Sequence, residues 1–361
     1  MWVDFLIKGV VAVIVLMGAL NLGGLLTWVE RKQSAVIQDR IGANRASVFG
    51  LKFLGLFHPL ADVLKLIFKE DFVPFYGNKI LHTMAPFLSV FFALMSFAAI
   101  PIGDQIQVLG RTVDLQVVDM NVALLYVFAV MSLGVYGVVL AGFASNNNYS
   151  FLGGLRASSQ MISYEITMGV SLIGIVMVYG SLNLQEIVRG QGAYWWGIIP
   201  KWGIFVQPVA FLLFMIAAMA ETKRTPFDLP EGESEIIGYF VEYSGMKFGM
   251  FFMTDFLETV LASALLATLF FGGWQIPYLM PDGFHFPWGG EWLMGRLWVV
   301  LLGVFSFSFK VIFFCWLLMM IRWTLPRFRY DQLMNLGWKI MLPISLINIM
   351  VTGFLIVWFS H

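Results

Sequence analysis

The sequence predicts an all-α integral membrane protein, with about eight transmembrane helices, an amphipathic helix on the cytoplasmic side and both termini outside. Three observations predict it. The mean hydropathy is +0.81, with 59% apolar and 12% charged residues, whereas soluble domains carry about 25% charged residues. Apolar runs of about 20 residues recur, the length of a helix that crosses the hydrocarbon core. The runs are continuous and not alternating ten-residue segments, which excludes a lipid-facing barrel and leaves helices to bond every backbone group internally.

The expected spans are 6–28, 83–101, 119–143, 161–179, 204–220, 247–272, 297–320 and 339–359. The first is too long for a signal peptide's apolar region and ends in Glu30-Arg31-Lys32, so it is expected to stay as an anchor. The loops 29–82, 144–160, 221–246 and 321–338 hold most of the 22 Lys and Arg residues and are expected in the cytoplasm. In the longest of them, Phe57, Leu60, Ala61, Leu64, Ile67 and Phe68 form an apolar stripe opposed by Asp62, Lys65 and Lys69. That segment reads equally as a helix on the membrane surface or as a wall between the bilayer and a cavity. The outer loops "AYWWGIIPKW" and "FHFPWGGEW" have the tryptophans of an interfacial belt. With no internal repeat and no linker, residues 1–361 form a single membrane domain.

One cysteine, Cys315, makes neither an internal disulfide nor an iron–sulfur cluster, and four scattered histidines offer no pair for haem or zinc. No metal site and no cofactor of its own are expected. A formal net charge of zero without a basic tract argues against a nucleic-acid partner.

Charge gathers in "ETKRTPFDLPEGESEIIGYFVEY", which contains Glu221, Asp228, Glu231, Glu233, Glu235 and Glu242 against Lys223 and Arg224. An acidic loop is most often a solvated surface. Here Phe227, Leu229, Ile236, Ile237, Tyr239, Phe240 and Tyr243 interleave with the acids, and Pro226, Pro230 and Gly232 suggest a fixed path. Closely spaced carboxylates in a partly dry site repel, so some hold protons near neutral pH. Within the spans, Asp255 and Glu258 share a helix face, Glu165 follows Tyr164, and Lys310 is a possible counter-charge. Charged groups at membrane depth tend to be functional. Interhelical pairing is the better reading for Lys310, and a proton path is the better reading for the three acids.

The segments "ERKQSAVIQDRIGANR", "PLADVLKLIFKED", "NNNYSFLGGLRASSQMISYE", "AETKRTPFDLPEGESE", "VEYSGMKFGMFF" and "LPRFRYDQLMNLGWKIMLP" carry a resemblance that covers almost the whole chain. The sequence resembles the H-type membrane subunits of proton-pumping NADH:quinone oxidoreductase, respiratory complex I. The resemblance implies a subunit at the junction of the redox arm and the membrane arm of a bacterial plasma membrane complex. It implies a quinone cavity built with redox-arm partners and bordered by Arg31, Asp62, Lys65, Phe227 and Asp228. It implies a proton-coupling chain of Glu165, Glu221, Glu231, Glu233, Glu235, Glu242 and Asp255. Arg40, Glu70, Arg156, Tyr164, Arg322, Arg327, Arg329 and Asp331 match family positions in or beside the cytoplasmic loops. The chain itself would hold no redox centre; quinone is the substrate, while FMN and iron–sulfur clusters belong to partner subunits. Small membrane subunits and antiporter-like subunits would be its membrane neighbours. Gly42-Ala43-Asn44 and His58 depart from the usual Gly-Pro-Asn and Gln.

Three other readings compete. The homologous subunit of a membrane-bound hydrogenase shares the fold, but the long "PRFRYDQLM" region and the complete acidic loop favour the quinone enzyme. A stand-alone ion transporter predicts repeat symmetry. An intramembrane prenyltransferase predicts paired Asp-x-x-x-Asp motifs, which the sequence lacks.

Overall fold

The computed structural model describes residues 2–108, 111–195, 197–229, 232 and 238–360. Twelve α-helices run in chain order among them: α1 (Trp2–Ile37), α2 (His58–Phe68), α3 (Lys79–Ser96), α4 (Ala123–Ala144), α5 (Asn148–Tyr179), α6 (Leu184–Gly190), α7 (Gly203–Val206), α8 (Pro208–Glu221), α9 (Gly245–Phe270), α10 (Arg296–Thr324), α11 (Tyr330–Asn335) and α12 (Leu342–Ser360). A π-helical stretch, Leu336–Met341, joins α11 to α12. Three short antiparallel sheets occupy one end of the bundle.

Seven helical segments among the described residues are long and apolar enough to cross a membrane, which makes this a multi-pass membrane protein. The fifth expected span, 204–220, is instead two pieces. Pro208 starts a 14-residue helix after the break at Gln207, whose φ and ψ of −136° and 62° are not helical. At 1.5 Å per residue this piece is about 21 Å long, short of the hydrocarbon core. Two expected loops also need correction. Much of 144–160 belongs to the 32-residue α5, and much of 321–338 is helical, as the last turn of α10, α11 and part of the π-helical stretch. Hydropathy marks only the apolar part of a helix, so turns that protrude past the bilayer read as loop.

The long helices pack side by side: α3 on α4, α4 on α5, α5 on α8 and α12, and α9 on α3, α10 and α1. Gly137 lets α4 approach α3, because a Cβ there would meet the Ala85 carbonyl oxygen at 3.0 Å. α9 is the most buried of the long helices, with Phe256, Leu257, Leu265 and Leu266 fully enclosed, and it carries two of the acidic candidates. One end of the bundle gathers the basic loops. The other gathers the sheets, where Asp104 meets Arg189 at 3.2 Å and Arg296 at 2.6 Å.

The stripe on α2 resolves between its two readings. Leu60, Leu64, Ile67 and Phe68 face outward and are exposed, as in a helix lying on a membrane surface. The opposite side, with Pro59, Asp62, Val63, Lys65 and Leu66, walls a groove, so a single helix does both.

Candidate functional site

The site lies where the acidic segment after α8 meets α1, α5, α9 and α10 at the basic end of the bundle. Glu221, the last residue of α8, is 2% exposed, and its Oε2 has no hydrogen-bond partner among the described residues. Its charged neighbours are Glu165, Glu258 and Lys223. The chain then turns through Lys223, whose φ is 54°, and buries that ammonium beside α9. Lys223 Nζ stands 3.1 Å from Asp255 and 3.4 Å from Glu258, and 5.8 Å from the centre of the Tyr239 ring. One helix face thus brings two carboxylates, at i and i+3, to one buried cation.

Arg224 points the other way, 3.0 Å from Glu30 on α1 and 3.9 Å above the Phe256 ring. Glu30 also binds Arg322 at the end of α10. This clasp joins α1, the acidic segment and α10. Gln160 on α5 donates to the carbonyls of Ala220 and Phe227 at 2.8 and 2.7 Å, which fixes the acidic segment on both sides of the turn.

Phe227 is buried between Tyr164 and Phe328, with ring centres 5.6 and 5.5 Å away. Tyr164 donates to the Leu333 carbonyl at 2.8 Å. Asp228 pairs with Arg327 at 2.8 Å and accepts from Thr225 at 3.4 Å. Burial raises the Asp228 carboxyl above the usual range, while Arg327 and Arg322 oppose that rise.

Arg31, Asp62 and Lys65 come together elsewhere, at the mouth of a mainly apolar groove of about 330 Å³ between α1, α2 and α9. Arg31 and Asp62 are 2.6 Å apart, and Lys65 is 3.8 Å from Asp62. Phe227 and Asp228 do not line this groove. Glu165 lines a second apolar groove, about 580 Å³ in volume, between α4 and α5, and there accepts a hydrogen bond from Ser132. Glu242 accepts from Asn147 at 2.8 Å.

Glu231, Glu233 and Glu235 lie outside the described residues. Arg40 bonds Gln38 in the turn after α1, Arg156 lies 5.8 Å from the centre of the Tyr330 ring, and Arg329 binds Asp331 on an exposed surface. The Glu70 carbonyl accepts from Ser244 at 3.0 Å. Lys310 is not the counter-charge of the acids. Its Nζ donates to the carbonyls of Phe271, Gly273 and Gln275 at 2.8, 2.8 and 2.6 Å, because it is held at the far end of α9. Lys223 fills that role instead. The role of Glu30 had no sequence signal, since its partners are 194 and 292 residues away.

The arrangement offers an apolar groove with a charged mouth and, apart from it, a buried cluster of one cation and several carboxylates. Among the described residues, no group of three or more His, Cys, Asp or Glu is placed to hold a metal ion.

The NADH dehydrogenase family profile matches residues 9–353. An H-type NADH-quinone oxidoreductase subunit of Cytophaga hutchinsonii is 45% identical over 353 residues, covering 97% of both chains. The corresponding H-type subunit of Flavobacterium johnsoniae is 44% identical over 350 residues, 96% of this chain and 94% of the relative. That of Thermomicrobium roseum is 43% identical over 364 residues, 99% of this chain and 98% of the relative.

Proposed function

Because this chain belongs to the NADH dehydrogenase family, we propose that it is the membrane subunit of an NADH:quinone oxidoreductase that walls the quinone cavity and couples quinone reduction to proton translocation. The observation that carries the reading is the buried Lys223–Asp255–Glu258 cluster with Glu221 beside it. Placing such charges in the interior is expensive unless they are paired, and replacement by apolar side chains is often neutral or stabilising. A purely structural bundle has no need of them. A proton-coupling path does, because the proton affinity of a carboxylate depends on the charges beside it.

The groove between α1, α2 and α9 suits an isoprenoid tail, with Arg31, Asp62 and Lys65 at its polar mouth. Reducing a quinone to a quinol consumes two electrons and two protons, and partner subunits with flavin and iron–sulfur clusters would supply the electrons. This chain's residues would orient the head group and register the charge change. Asp228 and its Arg327 partner stand nearest the last loop, Glu221 and the Lys223 cluster follow, and Glu165 faces the α4–α5 groove where a neighbouring membrane subunit would sit. Glu231, Glu233 and Glu235 belong to the same acidic chain. The complex would lie in the bacterial inner membrane, with the basic loops in the cytoplasm.

The test is purification of the tagged chain from its native membrane in mild detergent, followed by assay. Co-elution of flavin and iron–sulfur subunits with NADH:quinone activity is the expected result. Elution of the chain alone, or with a nickel–iron hydrogenase, would overturn the substrate reading.

A further inference from the structure

A cavity of about 360 Å³ lies at the sheet end of the bundle, between the start of α10, the segment after α9 and the end of α6. The function proposed above does not use it. Its polar side is made by Asp104, Arg189 and Arg296, and its apolar side by Trp274, Val299 and Val300. Asp104 holds both guanidiniums, Arg189 at 3.2 Å through Oδ1 and Arg296 at 2.6 Å through Oδ2. Each arginine engages through Nη2 alone. That of Arg296 also reaches the Gln105 carbonyl at 3.4 Å, and that of Arg189 stands 4.0 Å from Asp114. Nε and Nη1 of both arginines have no bond among the described residues. Two guanidiniums against one carboxylate leave the lining positive. The side chains of Arg189 and Arg296 are 46% and 38% exposed, so their unused donors can be reached from outside.

The depth of the cavity follows from α10. This helix has 29 residues, about 44 Å at 1.5 Å per residue, which matches the roughly 40–45 Å between the outer limits of the two head-group layers. Arg296 at its first position and Arg322 in its last turn then stand at the two layers of lipid phosphates. Trp298 and Leu301 face outward beside the cavity, as at a membrane border. Val299, Val300 and Gly303 lead from the arginines toward the apolar layer. A second, polar hollow of about 500 Å³ adjoins the cavity and shares Arg296 and Pro281 with it. Asp282 lines this hollow with Gln105, Gln107 and Thr112. Its side chain forms no ion pair among the described residues.

We propose that this cavity seats the head group of one phosphatidylethanolamine from the leaflet at the sheet end. The phosphodiester sits on the unused donors of Arg189 and Arg296, and one acyl chain leaves along Val299, Val300 and Gly303. The ammonium enters the adjoining hollow beside Asp282. A phosphodiester carries one negative charge, which balances the lining, and guanidinium forks suit phosphate oxygens better than an ammonium does. Asp282 selects the head. It attracts an ammonium with N–H groups to donate, whereas the glycerol of phosphatidylglycerol is neutral and the trimethylated amine of phosphatidylcholine has no N–H. The site depends on no part of the quinone reading.

The experiment uses the tagged chain with whatever subunits accompany it from the native membrane in mild detergent. The probe is a phosphatidylethanolamine with a diazirine near the glycerol end of one acyl chain. After irradiation, peptide mass spectrometry locates the adducts. Phe305 and Phe309, outward-facing further along α10, are the reference for bulk lipid. Labelling is expected to concentrate on residues 299–303. Excess unlabelled phosphatidylethanolamine is expected to suppress it about tenfold more than phosphatidylglycerol or phosphatidylcholine, and inorganic phosphate alone is expected to leave it unchanged. Arg296→Gln removes a charge-assisted contact. Gly303→Leu fills the cavity with the charges intact, since a Cβ there already stands 3.4 Å from the Trp274 carbonyl oxygen. Each variant is expected to lower the ratio of labelling to reference about tenfold. Even labelling along α10 in the unmodified protein, or equal competition by the three lipids, would mean bulk lipid only and overturn the proposal. Displacement by inorganic phosphate would assign the arginines to a soluble anion and overturn it too. If a variant also loses the reference labelling it has failed to insert, and the competition in the unmodified protein decides.

Discussion

At the scale of single residues, Lys223 has the largest expected effect. Its ammonium is enclosed, and removing one partner of a buried ion pair costs about 3–5 kcal/mol. Lys223→Met is therefore expected to leave Asp255 and Glu258 repelling each other and to abolish quinone-linked proton uptake. Loss of NADH:ferricyanide activity in the same membranes would point to failed assembly instead. Asp228 gives a prediction with a sign. Burial holds its carboxyl above the usual range, and Arg327 is the leading group that opposes the rise. Arg327→Ala removes that opposition, so protonation of Asp228 persists to higher pH. The acid limb of the quinone reductase pH profile is expected to move toward higher pH, and a shift toward lower pH would contradict the geometry. Neutralising Glu233 and Glu235 together should lower quinone-coupled pumping while sparing NADH oxidation by an artificial acceptor.

At the scale of elements, the joint between α2 and α9 is the part most exposed to substitution. Gly245, at φ 56°, opens α9, and a Cβ there would stand 3.2 Å from the Lys69 carbonyl oxygen at the end of α2. Gly245→Ala is both strained and crowded, at a cost of about 1–3 kcal/mol, and thermal denaturation of the purified complex should record a lower midpoint. Asp62→Asn loosens the half-exposed bridge to Arg31, an interaction of about 1 kcal/mol or less. The expected change is up to about fivefold in KM for quinone with kcat nearly unchanged. Seven of the eight expected spans, the amphipathic α2 and the i,i+3 acids of α9 were legible in the sequence, because each is a local pattern of period 3.6 or of length. The extents of α5 and α11 were not, since polar turns carry no hydropathy signal. The partner of Lys310 was not legible either, because backbone carbonyls at a helix end leave no mark in composition. The Glu30 clasp depends on contacts across more than half of the chain, which no window of residues contains.

At the scale of the whole molecule, the two ends differ in chemistry: basic loops and buried acids at one, short sheets and tryptophans at the other. This asymmetry is the basis for orientation, and Cys315 makes it measurable. Its thiol is buried at 0% exposure, so a membrane-impermeant maleimide meets little background. Phe49→Cys, on the exposed loop after α1, is expected to react only in inside-out vesicles. Trp288→Cys, at the opposite end, is expected to react only in right-side-out ones. The reverse pattern would invert the whole topology and place the acidic segment outside the cell.

The clasp at Glu30 has a consequence for synthesis. Arg224 and Arg322 follow Glu30 by 194 and 292 residues. At a translation rate of about 5–20 residues per second, α1 waits roughly 15–60 s for its last partner. During that interval the carboxylate of Glu30 has to remain in contact with water, so the nascent α1 is held with this end at the bilayer border. A ribosome that stops before Arg322 leaves a chain whose first helix lacks its closing cation.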